Sequence, residues 1–169
     1  MIELTAGRLH MRIALGSDHR GDAAARVIMA HLVASGYEIV RHYECHGQAC
    51  DYPDNAYRVS QAVRVGEADR GILICGSGIG VCIAANKVPG IRAGLVYDEI
   101  AAGLSRSHND CNVLCLSADT TPTKELITIT DIWLKTEFEG GRHARRVKKI
   151  EAIERGEDPT LLTADAASK

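Results

Sequence analysis

No stretch of this 169-residue chain is long and apolar enough to read as a membrane span, and Met1 to His10 lack the basic start and apolar run of an export signal. Neither sign of charge dominates: 20 basic residues against 22 acidic ones leave a formal charge of -2, which supplies no broad field for gripping a nucleic-acid backbone. Any basic chemistry must be local. No internal repeat is visible, and no Cys-x-x-Cys pair accompanies the six cysteines. Without an export signal, those cysteines (Cys45, Cys50, Cys75, Cys82, Cys111, Cys115) are expected as free thiols in a cytoplasmic protein.

What is present is a 46% apolar chain of single-domain length. A second methionine, Met11, directly precedes a strand-like run, so residues 1–10 are set aside as either an extension or a mis-assigned start. The domain is expected over 11–156, followed by a flexible tail over 157–169. Short β-rich runs at Ile13 to Leu15, Glu38 to Arg41, Gly71 to Cys75, Arg92 to Val96 and Val113 to Leu116 alternate with helical patterns. The helices are expected at Ala23 to Ala34, Ala56 to Val65, Ile79 to Asn86, Glu99 to Ser107 and Lys124 to Thr136. That alternation predicts an α/β fold with a five-stranded parallel sheet covered on both faces. The last helical pattern, Arg142 to Glu154, has few apolar residues and many cations. It reads either as a solvated helix on its own domain or as an arm laid across a second subunit.

Four constellations carry chemistry. The strand ending at Cys75 runs straight into Gly76-Ser77-Gly78-Ile79-Gly80, a glycine-rich turn at the carboxyl end of a buried strand, where open parallel sheets bind ligands. Converging backbone N–H groups there favour negative charge, so a cysteine at that point is placed to act as a thiolate base. The alternative is a small buried core residue; position favours the base for Cys75 and the core for Cys82, which falls inside the next helix. Ser17-Asp18-His19 follows the first strand at the same edge, where Asp18 either holds a hydroxylated ligand or caps the next helix. His108, in Ser105 to Asp110, offers a second acid/base group or is an ordinary loop histidine. Arg142 and Arg146 lie one helical turn apart, spaced to fork onto a phosphate or to form a solvated basic face.

With these residues assembled, the chain resembles the ribose-5-phosphate isomerase B / galactose-6-phosphate isomerase family from about Met11 to Glu154. The resemblance rests on Gly16 to His19, Asp51-Tyr52-Pro53, Gly71 to Gly78, Ala84 to Lys87, Ser105 to Asp110 and Glu139 to His143, in family order and spacing. It implies a Rossmann-like α/β/α sandwich, a homodimer or homotetramer with active sites shared between subunits, and aldose-ketose isomerisation, with ribose 5-phosphate and ribulose 5-phosphate the first expectation. Cys75 would move a proton between C1 and C2 through a cis-enediol while Gly76, Ser77, Gly78, Ile79 and Gly80 face the developing oxyanion. His108 would help open the sugar ring. Asp18, His19, Tyr52 and Asn109 would contact the sugar, and Arg142 with Arg146 the phosphate. No metal or organic cofactor, nucleic acid or membrane is implied.

One branch of the family replaces the cysteine with a later glutamate; that position is Val81 here, so the cysteine branch fits. After the fifth strand, relatives commonly carry a phosphate-binding arginine, whereas this chain has Asp119, a carboxylate expected to repel a dianion. The runners-up are therefore isomerases of hexose, tetrose or unphosphorylated sugars. A metal site in the Cys- and His-rich loop 42–50 matches none of the usual zinc spacings. A nucleotide-binding or sensor domain is suggested by Gly76-Ser77-Gly78 and by Asp98, 20 residues after Gly78. However, Val81 replaces the third glycine and the turn follows the third strand instead of the first.

Overall fold

A computed structural model describes residues 11–162 and holds a single parallel sheet. In chain order the elements are β1 (Arg12–Ser17), α1 (Asp22–Ala34), β2 (Glu38–Tyr43), α2 (Tyr52–Arg64), β3 (Arg70–Cys75), α3 (Ile79–Ala85), β4 (Ala93–Leu95), α4 (Glu99–Ser107), β5 (Val113–Ser117), α5 (Thr123–Lys135) and α6 (Arg142–Glu154). The strands lie in the order β2-β1-β3-β5-β4. Period-two alternation splits their side chains into two cores. Ile13, Leu15, Ile72, Ile74, Leu114 and Leu116 pack with α1, α4 and α5, while Ala14, Leu73, Cys75, Val113 and Cys115 pack with α2 and α3. The result is a three-layer α/β/α sandwich, as the alternating pattern predicted.

The order in which successive strands are added reverses between β1 and β3, which run parallel, so the crevice at their carboxyl ends is the topological switch point where ligands bind such sheets. The strand ends there are laced by backbone hydrogen bonds. Asp18 N–H donates to Ile74 O (3.1 Å), Ala118 N–H to Cys75 O (2.9 Å) and Asp119 N–H to Gly76 O (3.0 Å). The Ser117 hydroxyl adds a bond to Gly76 O at 2.7 Å.

Several boundaries differ from the sequence pattern by one to four residues, and two of the differences have identifiable reasons. Helix α2 starts four residues before Ala56, at Tyr52, because extended Asp51 precedes it and Pro53, in its first turn, has no N–H to lose there. Edge strand β4 is only three residues long. Its outer side is finished by the Asn86 side chain, which donates to Ala93 O and accepts from Ala93 N–H, each at 2.9 Å. A carboxamide thus stands in for a missing strand, which gives this member of the Ala84 to Lys87 motif a structural task.

The expectation of free thiols fails at Cys45 and Cys50, which form a disulfide. The loop folds back through His46 (φ 51°) and Gly47 (φ 78°), bringing the two Cα atoms to 5.7 Å. Spacing and compartment arguments could not see that turn. Cys75, Cys82, Cys111 and Cys115 are free. The 1–10 extension lies outside the described residues, as does 163–169; the start of the expected tail forms a 3-10 turn, Pro159–Leu161. Among the described residues no helix is long and apolar enough to cross a membrane.

Candidate active site

Helix α3 cannot start flush with β3, because the chain first has to turn away from the sheet. It does so at Gly78, with φ 75°, where an added Cβ would meet Leu95 Cδ1 at 2.5 Å and the Leu116 carbonyl at 3.0 Å. Only glycine combines that left-handed backbone with so close an approach. The turn aims the Gly78 N–H back at the Cys75 sulfur, with N···Sγ 3.1 Å. Cys75 is 4% exposed and packs in the core on the α2 and α3 side, yet it also belongs to the lining of an open cavity of about 260 Å³.

The same cavity gathers Asp18, Tyr52, Gly76, Ser77 and Gly80. Buried Asp18 accepts from the N–H groups of Arg20 and Gly21, both at 2.9 Å, so it both tightens the turn into α1 and faces the cavity. It closes the turn before α1 without capping the helix itself, whose N-cap, Gly21, has no side-chain cap hydrogen bond. Tyr52 lies against Gly80, where a Cβ would stand 2.6 Å from its ring. Ser77 is exposed, and its hydroxyl accepts from Ile79 N–H at 3.3 Å.

Within one chain the remaining expected residues fall outside this cavity. His19 is exposed on the same rim. His108 and Asn109 sit on the loop after α4, held by buried Arg106, which bonds Asp110 (2.7 Å) and Cys111 O (2.6 Å) and lies over the Trp133 ring. Arg106 and Asp110 are thus the scaffold of their motif, and His108 and Asn109 are what it presents. The His108 ring stacks on His143 with centroids 4.1 Å apart and planes 6° from parallel. Burial first, and then the neighbouring His108 and Arg142, lower the His143 pKa. Arg142 Nε donates to His143 Nε2 at 3.2 Å, and Arg146 lines a separate cavity with Arg145, Lys149 and Leu162.

His108, Glu139 and His143 bring three potential ligand atoms within 4.8 Å of one another. Imidazole lone pairs lie in the ring plane, however, and parallel stacked rings point theirs side by side instead of converging on one ion. Behind Cys75, a hydrogen bond with Cys115, and to a lesser degree bonds with Leu95 and Asn86, lowers the Cys82 pKa to about 7. Full burial drives Cys115 upward.

Sequence reasoning missed Arg20. Its guanidinium forms a two-pronged ion pair with Asp119, with Nη2···Oδ2 at 2.6 Å and Nε···Oδ1 at 3.3 Å, and both residues line the Cys75 cavity. Asp119, expected from the sequence to repel a dianion, is thus paired with a guanidinium 99 residues away in the chain. Only the strand order, which sets β1 and β5 on either side of β3, brings the two together.

Residues 13–150 match the family model described as Ribose/Galactose Isomerase. The chain is 46% identical over 143 residues to ribose-5-phosphate isomerase B of Escherichia coli (strain K12), covering 85% of this chain and 96% of that one. It is 38% identical over 141 residues to D-erythrulose-4-phosphate isomerase of Pectobacterium atrosepticum, covering 83% and 93% respectively. Among solved structures, ribose-5-phosphate isomerase B of Clostridium thermocellum superposes with a TM-score of 0.82 at 47% identity, over 86% of this chain and 99% of that one.

Proposed function

The chain belongs to the ribose/galactose isomerase family and is an aldose-ketose isomerase, and from that premise we propose that it interconverts ribose 5-phosphate and ribulose 5-phosphate with Cys75 as the base. The observation that carries the role of Cys75 is its place in the cavity lining with its sulfur accepting the Gly78 N–H. A donor aimed at that sulfur stabilises the thiolate, which is the form able to take a proton.

In the open-chain aldose, the thiolate removes the C2 proton and the electron pair moves through the C1–C2 bond onto O1. The enediolate that forms carries its charge beside the 76–80 turn, where the N–H groups not already engaged by Cys75 Sγ and Ser77 Oγ receive it. Return of the proton to C1, with transfer of the O2 proton to O1, completes the ketose. Asp18, His19, Tyr52, Ser77 and Asn109 hold sugar oxygens, His108 assists ring opening, and Arg142 with Arg146 takes the phosphate. The last four lie outside the cavity of their own chain, so the complete site needs a second copy to bring them. Ile79 and Ile83, exposed on α3 beside the Cys75 turn, and Ile100 and Leu104, exposed on α4, supply apolar surface for that contact. Sugar phosphates are made and kept inside cells, which gives the cytoplasm as the working compartment.

Cys75→Ala and Cys75→Ser test this directly, since a serine hydroxyl is too weak an acid to supply the base at neutral pH. Both variants are expected to keep the fold, read by circular dichroism, and to lose at least a thousandfold in kcat. Isomerisation of ribose 5-phosphate at the parent rate by either variant would refute the assignment. The Pectobacterium relative makes erythrulose 4-phosphate the second substrate to assay beside it.

A further inference from the structure

We infer that Arg20 is a substrate-binding and specificity-determining residue of the isomerase, donating to the substrate's phosphate from the same chain as Cys75, with Asp119 as its positioning residue. The inference deepens the reading of the site given above and rests on it.

The carboxylates of Asp18 and Asp119 both face the Cys75 cavity, and Arg20 is the one cation lining it among the described residues. Without that guanidinium the cavity would carry two negative charges and reject a phosphorylated ligand. The bridge to Asp119 is not a core element: the two side chains are 59% and 38% exposed, a setting in which ion pairs contribute little to stability. Its place is nonetheless tightly specified. Asp119 is fixed by its own N–H on Gly76 O, and Arg20 by its N–H on Asp18 Oδ1, so both ends hang from the laced strand ends. The pair roofs the residue next to the base, since a Cβ on Gly76 would stand 2.7 Å from Asp119 Oδ2 and 2.8 Å from Arg20 Nε. Glycine at 76 leaves the room the pair occupies.

Asp119 engages Nε and Nη2 of the guanidinium. An arginine carries five N–H donors in a planar fork, so the Nη1 group and the second Nη2 hydrogen stay available to an incoming oxyanion. A carboxylate that grips one edge of the fork fixes which way the other edge points. That division of labour makes Arg20 the ligand and Asp119 the group acting through it.

The alternative is that Arg20 only neutralises Asp119, and a double variant separates the two. Binding of ribose 5-phosphate and of free ribose is measured by calorimetry in Cys75→Ala enzyme, where no turnover intervenes, alongside KM and kcat in enzyme retaining Cys75. Arg20→Ala is expected to weaken ribose 5-phosphate binding ten- to a hundredfold, to raise KM in parallel with kcat changed less than about threefold, and to leave free ribose unaffected. Arg20→Ala/Asp119→Ala is expected to stay at least tenfold weak, and Arg20→Lys to recover part of the loss. Full recovery in the double variant would reduce Arg20 to a neutralising group, and an equal loss for free ribose would move its contact from the phosphate to the sugar; either overturns the inference. Wild-type enzyme that fails to isomerise ribose 5-phosphate would instead refute the substrate reading, while the calorimetric comparison still decides whether Arg20 binds the anion.

Discussion

Replacing Gly78 with alanine probes how the fold holds Cys75, because the position combines a backbone requirement with a packing requirement. At φ 75° an L-residue costs roughly 1–2 kcal/mol relative to glycine. The added Cβ would also meet the Leu116 carbonyl at 3.0 Å and Leu95 Cδ1 at 2.5 Å. The leucine tip can turn aside for about 0.5–1.5 kcal/mol, but the Leu116 backbone belongs to β5 and yields only if the turn itself moves. Overpacking of this kind typically costs about 1–3 kcal/mol. Gly66 supplies the internal control: its φ is 73° and a Cβ there meets nothing within 4 Å. Gly66→Ala therefore carries the backbone cost and the unfolded-state entropy change alone, and both cancel in the comparison. Urea denaturation should show Gly78→Ala less stable than Gly66→Ala by about 1–3 kcal/mol. The shifted turn should also lose the Gly78 N–H bond to Cys75 Sγ. A hydrogen bond to a charged acceptor contributes about 1.5–3 kcal/mol, so kcat should fall by about ten- to a hundredfold while Gly66→Ala keeps it. Equal midpoints for the two variants would refute the packing argument, and an unchanged kcat in Gly78→Ala would refute the role given to its N–H.

Arg142→Ala and Arg146→Ala should mainly raise KM for phosphorylated sugars, each by about tenfold, with free ribose unaffected; steady-state kinetics on both substrates checks this. In Cys75→Ala enzyme, Cys82, with its pKa near 7, should be the fastest remaining free thiol to react with iodoacetamide, its rate rising through pH 7 and levelling by about pH 8.5. Peptide mass spectrometry would read this against Cys111, whose burial pushes its pKa to about 11. Asp69, held below the usual carboxylate range chiefly by its hydrogen bond with Arg12, should contribute stability that is fully present above about pH 4 and lost as pH falls through its lowered value. Denaturant titrations of Asp69→Asn and parent protein should then differ by a constant amount at pH 5–8 and converge below pH 4.

The sheet and its turns were legible in the sequence because their signals are local. Ile72 to Cys75 is a run of apolar residues leading into glycines, and the rule that parallel sheets bind ligands at their carboxyl ends placed Cys75 without coordinates. Asp18 followed from sitting on the same rim, whereas Tyr52 came only from the resemblance carried by Asp51-Tyr52-Pro53. The Arg20 and Asp119 pair was not legible, since nothing local links residues at the ends of β1 and β5 and the strand order had to be known first. The disulfide was hidden for the opposite reason: the compartment rule gave a global prior, and the φ > 0 residues His46 and Gly47 overrode it locally. The His108 and His143 stack joins the end of α4 to the first turn of α6, which periodicity treats as independent. Arg106 reads as one more charged residue in a loop motif until its contact with the Trp133 ring marks it as interior.

The bonds that fix the rim run between main-chain atoms: Asp18 to Ile74, Ala118 to Cys75 and Asp119 to Gly76. Positions such as 20 and 119 can therefore exchange charge, size or sign over generations while the sulfur keeps its address. A scaffold wired this way anchors the sulfur independently of the side chains at the mouth of the cavity, so substitutions at the doorway leave the foundation in place.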